Sequence, residues 1–279
     1  PFTEFRGGQR LMSESVFKAI ATETSLLLQA PTGIGKTVGV LFPALHAIPV
    51  QQLDRLFYLT CRNTGKALAL DGLKQIVAHQ REALPIRVLE LSSLEQSCDH
   101  PEAACHGDSC PLANGFFDKL NAAREEAAQL QILDAATLTG IARKHELCRY
   151  FLAQEMARWS DVVVADVNHS VAQHALLHAL TIQNEWRVVP LVDEAHNLID
   201  RARAMYSIQL SEAALLYTVR KPPAALQKPL AQLETAWNDL VKPSLQREEL
   251  LAELRSLTIR EIQEKVPEAL NDALYTLIA

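Results

Sequence analysis

Ser25 to Thr37 reads SLLLQAPTGIGKT, and no other stretch narrows the fold as sharply. Leu26-Leu27-Leu28 predicts a short buried strand, Pro31 breaks it, and Gly33 and Gly35 carry a loop into a helix starting at Lys36-Thr37. That order makes a phosphate cradle. The glycines let consecutive backbone N–H groups turn inward toward an anion, and the helix presents its positive N-terminal end. Lys36 then reaches the β- and γ-phosphates of a nucleotide, and the Thr37 hydroxyl can sit on Mg²⁺. A glycine-rich turn that happens to hold a lysine would lack this flanking strand and helix.

The general phosphate-loop pattern, GxxxxGK[ST], asks for glycine where this chain has Ala30. What remains is AxxGxGKT, with Thr32, Gly33, Ile34, Gly35, Lys36 and Thr37 as the ATP-contacting residues. This variant resembles motif I of superfamily 2 helicases and translocases.

With 279 residues the chain has room for one large or two modest domains. A 48% hydrophobic and 22% charged composition is ordinarily globular, so disorder is not expected. No signal peptide is visible, and no apolar run approaches the ~20 residues of a membrane span. The chain opens on Pro1, which we read as a trimmed or partial start. Five cysteines beside a nucleotide site argue for a reducing, cytoplasmic setting, nucleoid-associated in a bacterium or nuclear in a eukaryote. A net charge of −6 supplies no basic footprint for nucleic acid.

Phe5 to Ala21 predicts a turn and an amphipathic helix with Leu11, Val16, Phe17 and Ile20 inward. Gln9 stands just ahead of that helix, where superfamily 2 enzymes place the glutamine that reads the adenine edge. Pro43 and Pro49 bracket the end of the phosphate-loop helix. Further core strands are expected at Arg55–Thr60, Ile86–Leu91, Asp161–Val167 and Val188–Val192, the last weakened by Pro190. Strands alternating with helices predict an α/β, RecA-like parallel sheet covered on both faces. The alternation stops between Ser92 and Ser160, which holds four of the five cysteines and a helix predicted over Phe116–Leu133. Beyond Asp200 the pattern is helical, near Ser211–Val219, Pro229–Leu240, Ser244–Leu257 and Ile259–Leu277. The expected organisation is therefore 1–91 and 161–200 as two parts of one nucleotide-binding domain. A metal-binding insertion occupies 92–160, and a helical segment runs over 201–279.

Asp193-Glu194-Ala195-His196 follows the apolar run 188–192, so its carboxylates emerge at a strand's C-terminal end, where open α/β sheets bind ligands. An ATPase needs one carboxylate for the Mg²⁺ shell and another to orient and deprotonate water. Asp193 suits the first role and Glu194 the second. His196 is placed to sense the γ-phosphate or to couple to a neighbouring domain. Four acidic-rich letters alone would be an ordinary helix cap; the strand before them and the phosphate loop upstream give them meaning.

Cys98, Cys105, Cys110 and Cys148 are spaced C-x6-C-x4-C-x37-C. Three lie in a polar loop, a poor place to bury unliganded thiols. Thiolate-only ligation suits Zn²⁺ and an iron–sulfur cluster alike, and His100 and His106 keep a mixed zinc site open.

The order AxxGxGKT, four cysteines, DEAHNL resembles the XPD/DinG-type iron–sulfur helicases of superfamily 2, most closely over CRYFLAQEMARWSDVVVADVNHSV, Cys148 to Val171. Arg149 stands where XPD has proline. Tyr58-Leu-Thr-Cys-Arg-Asn-Thr64 resembles motif Ia, which contacts the DNA backbone in that family, so Thr60 and Arg62 are carried over as DNA contacts. Cys61 is expected to be a packed core thiol. The resemblance implies a [4Fe–4S] cluster on Cys98, Cys105, Cys110 and Cys148. It also implies an ATP-driven 5′→3′ motor on single-stranded or forked DNA, and an arch-like start to the helical tail. Motifs III to VI of a second RecA-like domain are not found after Asp200, so this chain reads as part of a helicase whose partner domain lies elsewhere in the parent chain. The competing reading is a nucleotide-binding switch or scaffold stabilised by zinc or iron–sulfur, without translocation.

Overall fold

The computed structural model describes residues 6–31, 33–79, 85–172, 175–205, 207, 212–220, 222 and 226–240. The chain divides into two compact units, residues 1–200 and 201–279. The first holds the sheet. Its elements run α1 (Gln9–Ala21), α2 (Lys36–Val50), β1 (Arg55–Thr60), α3 (Asn63–His79), β2 (Val88–Glu90), α4 (Leu94–Ser97) and α5 (Phe116–Ala128). They continue with β3 (Ile132–Leu133), α6 (Ala135–Lys144), α7 (Arg149–Met156), β4 (Val162–Asp166), α8 (Asn168–Val171), α9 (Leu176–Gln183) and β5 (Val188–Val192). Leu198–Met205 (α10) follows, and Glu212–Arg220 (α11) and Gln227–Leu240 (α12) belong to the second unit. The helices expected over 244–257 and 259–277 lie outside the described residues.

The sheet is parallel throughout, in the order β3-β2-β4-β1-β5. Its middle strands, RLFYLT and VVVAD, are apolar on both faces because helices cover both faces. Leu41 and Leu45 of α2 and Leu70, Leu73 and Ile76 of α3 pack with Leu56, Tyr58, Val162 and Val164 in one buried cluster. Leu41 and Leu73 are wholly buried. Cutting either to alanine costs about 2–5 kcal/mol in transfer and cavity terms.

Three sequence expectations need correction. Leu26–Leu28 forms no strand; Leu27 is 94% exposed. A three-residue apolar run gains nothing as a strand without a ladder to join. Asp193 N–H donates to the Leu59 carbonyl and the Arg187 carbonyl accepts from Asp54. By the alternation of strand backbone, the intervening positions 188, 190 and 192 therefore face the outer edge of β5. The middle of these is Pro190, which has no N–H, so the edge offers a broken ladder.

Second, α2 does not end between Pro43 and Pro49 but runs through both to Val50. Proline at 43 cannot donate to the carbonyl of Gly39, a loss that usually kinks or ends a helix. Here the Ser13 hydroxyl of α1 donates to that carbonyl at 2.8 Å and takes the missing donor's place. Third, the helix expected over 116–133 stops at Ala128, and Ile132–Leu133 pairs with β2 as an edge strand. Residues from within 92–160 thus join the sheet, and they are stitched there. Glu90 accepts the N–H of Ala135 at 2.9 Å, Arg124 meets Glu155 at 3.0 Å, and Arg87 donates to the Ala128 and Trp159 carbonyls.

Candidate nucleotide site and cysteine cluster

Gly33 and Gly35 hold φ of 82° and 85°, a left-handed backbone that β-carbon residues resist, and Gly35 caps α2. The phosphate loop is latched by its neighbours. Lys36 Nζ donates to the Ala30 carbonyl at 3.1 Å, Arg6 donates to the Gly33 carbonyl, and Gln9 Nε2 lies 3.5 Å from the Gly35 carbonyl. Gln9 Oε1 in turn accepts the Arg6 N–H at 3.1 Å. A β-carbon at position 35 would stand 2.8 Å from Gln9 Nε2, so the glycine also makes room for that contact. Gln9 thus lies against the phosphate loop. Ile34 is half-buried at the same turn, and Thr32 lies outside the described residues.

The second half of the site comes from β5. Hydrogen bonding of Asp193 N–H to Leu59 at 2.8 Å fixes the point where β5 leaves the sheet. Glu194 follows at φ 54°, a strained conformation for a residue with a β-carbon, and strain of this kind gathers at functional sites. Its N–H donates to Asp193 Oδ1 at 3.1 Å, and its carboxylate stands 3.4 Å from His196 Nδ1. His196 is exposed and also meets Asn197 Nδ2 at 3.1 Å.

Tyr58 brings the two halves together, and sequence reasoning missed it. It lies on β1 opposite Leu191, is 2% exposed, and points into the cluster beneath α2. Burial first, and then the Asp193 carboxylate, pushes its phenol far above the ordinary range, while Thr37 pulls the other way; its hydroxyl interacts with both side chains. It therefore stays protonated, able to donate to Asp193 and accept from Thr37. A buried hydroxyl inside an otherwise apolar strand was the one available signal.

Thr60 and Arg62 part company. The Thr60 hydroxyl is buried and accepts the Arg62 N–H at 3.2 Å, so it shapes the turn into α3, whereas Arg62 is exposed. A β-carbon at Gly65 would come within 2.4 Å of that hydroxyl. Cys61 is half-buried at the strand end rather than packed in the core.

None of the five thiols is in a disulfide. Cys98 ends α4 and is half-buried, Cys105 is exposed, Cys110 is buried, and buried Cys148 caps α7. Burial raises the Cys148 thiol, the N–H groups of Phe151 and Tyr150 oppose that, and the charges of Cys110 and Cys98 add to it. Tyr150 is raised by burial and then by Cys105 and Cys148. The four thiols therefore share one neighbourhood. Among the described residues, no three His, Cys, Asp or Glu side chains stand ready-arranged around a metal ion. Both loop histidines are otherwise engaged, His106 with Ser109 at 3.2 Å and His100 with Glu102 at 3.5 Å. The four sulfurs are a soft donor set that would suit zinc and an iron–sulfur cluster alike.

A parallel sheet with a glycine loop at one helix start and paired acids at a neighbouring strand end defines a phosphate-loop α/β protein of the RecA-like kind. The DEAD_2 family model matches residues 50–215, and the chain belongs to that family. Among curated relatives it is 21% identical to Regulator of telomere elongation helicase 1 homolog of Anopheles gambiae, over 86% of this chain and 30% of that one. It is 26% identical to ATP-dependent DNA helicase CHL1 of Eremothecium gossypii, over 67% of this chain and 24% of the relative. The chain thus spans under a third of the length of either relative. An XPD helicase structure matches 98% of this chain and 48% of its own, with TM-score 0.58 and 16% identity, which shows a shared fold. Among the described residues no helix is long and apolar enough to cross a membrane.

Proposed function

We propose that this chain is the ATP-binding and iron–sulfur portion of an ATP-dependent DNA helicase of the XPD/DinG type. The observation that carries the reading is the meeting of Thr37 and Asp193 around Tyr58, with Lys36 on the adjoining turn. Two distant motifs converge where an ATPase needs a metal-holding pair. In this reading Lys36 and the N–H groups of Gly33 to Thr37 hold the phosphates, Gln9 reads the base, and Thr37 and Asp193 hold Mg²⁺. Held by these two residues, Mg²⁺ would neutralise phosphate charge. Glu194 orients the attacking water and takes its proton, and His196 relays occupancy of the γ-site. Arginines of a second RecA-like domain complete the charge stabilisation.

In the same proposal residues 1–91 and 161–200 form the first motor domain, 92–160 the cluster insertion and 201–279 the start of an arch. Cys98, Cys105, Cys110 and Cys148 would hold a [4Fe–4S] cluster, which would tie the 98–110 loop to the start of α7. The names of the relatives support DNA as the substrate, and single-stranded or forked DNA with 5′→3′ movement is the form we propose. Titration calorimetry with Mg–ATP tests the nucleotide reading: wild type binds, and Lys36→Ala weakens binding at least tenfold. Equal binding by the variant overturns it. Iron, sulfide and zinc analysis after anaerobic purification tests the cluster, and colourless protein with one zinc and no sulfide would sink it.

A further inference from the structure

Cys98 and Cys148 lie far apart in sequence, and Cys98 ends α4, a helix of only four residues. So short a helix does not hold its own shape in water. The Ser93 side chain caps its start by accepting the Gln96 N–H. The Gln96 carbonyl lies in its last turn, where acceptors run out of helical donors.

Arg149 supplies a donor. It is the first residue of α7, directly after Cys148, and its Nη2 donates to the Gln96 carbonyl at 2.8 Å. Its Nη1 donates to the Thr139 hydroxyl of α6 at 3.1 Å. That hydroxyl can accept because its own proton goes to the Ala135 carbonyl at 2.6 Å. A guanidinium is planar and rigid, so two bonds from separate nitrogens fix its orientation as well as its place. One side chain therefore joins the segment leading into Cys98, the helix that follows Cys148, and α6.

Arginine is a costly choice at this position. The first helical turn favours negative charge, and proline suits the first residue best. The Nε of Arg149 is also buried without a partner, which is a further cost. The contacts to α4 and α6 offset both. Nor do the sulfurs draw their own segments together. No disulfide joins them, and thiolates gathered without a metal repel one another.

We infer that Arg149 is a positioning residue for the cysteine set. It clasps the Cys98 segment to the start of α7 before any metal is bound, so that a metal closes a set whose segments are already in place. The clasp rests on reading the four cysteines as one donor set, and not on whether they take zinc or iron–sulfur.

The test titrates the whole chain, freed of metal and kept reduced, with Cd²⁺, whose charge-transfer band with thiolates reports both affinity and the number of sulfurs bound. Wild type should bind through all four cysteines. Arg149→Met, which keeps the stem and loses the donors, should bind about tenfold more weakly. Its band should fall by about one part in four as Cys98 drops out. Cys98→Ser should cost wild type the same part of the band, yet change little when added to Arg149→Met. Losses that simply add would mean that Arg149 does not act through Cys98, and would overturn the clasp. Should Arg149→Met fail to fold, Thr139→Val, which removes only the α6 acceptor, decides: weaker Cd²⁺ binding supports the clasp and wild-type binding overturns it. If wild type itself binds no Cd²⁺, the donor set is refuted and the clasp with it. If wild type and Arg149→Met bind alike, only the clasp is refuted.

Discussion

Tyr58 differs from its strand neighbours Leu56, Phe57 and Leu59 by one oxygen, and that oxygen lies between Thr37 and Asp193. Its hydroxyl interacts with both side chains and so links the two halves of the site. Tyr58→Phe preserves the packing and removes the link. Mg²⁺ should then strengthen ATP binding roughly tenfold less than in wild type, while affinity measured in EDTA stays the same. Calorimetry in the two buffers checks this, and an equal loss in both would mean a packing effect. Lys36, Asp193 and Glu194 were legible in the sequence because each sits in a short contiguous motif whose spacing carries the chemistry. Tyr58 was not, because its role depends on the register of β1 against β5, which no local pattern encodes. Thr60 shows the reverse: its motif was legible, but burial turned its hydroxyl inward.

At the scale of elements, α2 depends on a hydroxyl from its neighbour. Ser13→Ala leaves the Gly39 carbonyl with neither its helical donor nor a substitute, which should cost about 1–3 kcal/mol. Denaturant melts of the variant would register it, and nucleotide affinity should fall as the loop above α2 loosens. Proline within the helix was read as its end because proline usually is; the rescue by α1 is a tertiary contact. Strands β1, β4 and β5 were legible as apolar runs, and α1 from its helical spacing. β3, two residues long, carries no periodic signal at all. Leu26–Leu28 carried the signal and lacked the ladder.

Across the first unit, exposed charge pairs tie the insertion together, and they make it sensitive to acid. Burial pulls the Asp134 carboxyl upward, but Lys74 and the N–H and hydroxyl of Thr137 outweigh it, leaving it below the ordinary value. Glu126 is likewise lowered, by Lys144 and then His145. A carboxyl depressed by folding contributes stability above its unfolded value, near pH 4, and loses it as pH falls through the folded one. Thermal melts should therefore drop as pH falls below about 4. Asp134→Asn, which keeps a cap for α6, should show a shallower drop over that window. A parallel drop in both would exclude Asp134 as a contributor. The parallel α/β class was legible in the alternation of strands and helices. The division of labour inside 92–160 was not, since Arg87 and Glu90 reach it from outside and Arg124 meets Glu155 within it, all through contacts distant in sequence.

Pro190 has a consequence for solubility. A strand at a sheet margin is an invitation to any passing chain that can zip onto it, and proteins blunt such margins with residues that cannot donate. With Val188 and Val192 on either side, the outward margin of β5 would otherwise be an apolar template for copies of the same protein to stack upon. Pro190→Val should restore the missing tooth, and light scattering during concentration should then rise in the variant before it does in the wild type.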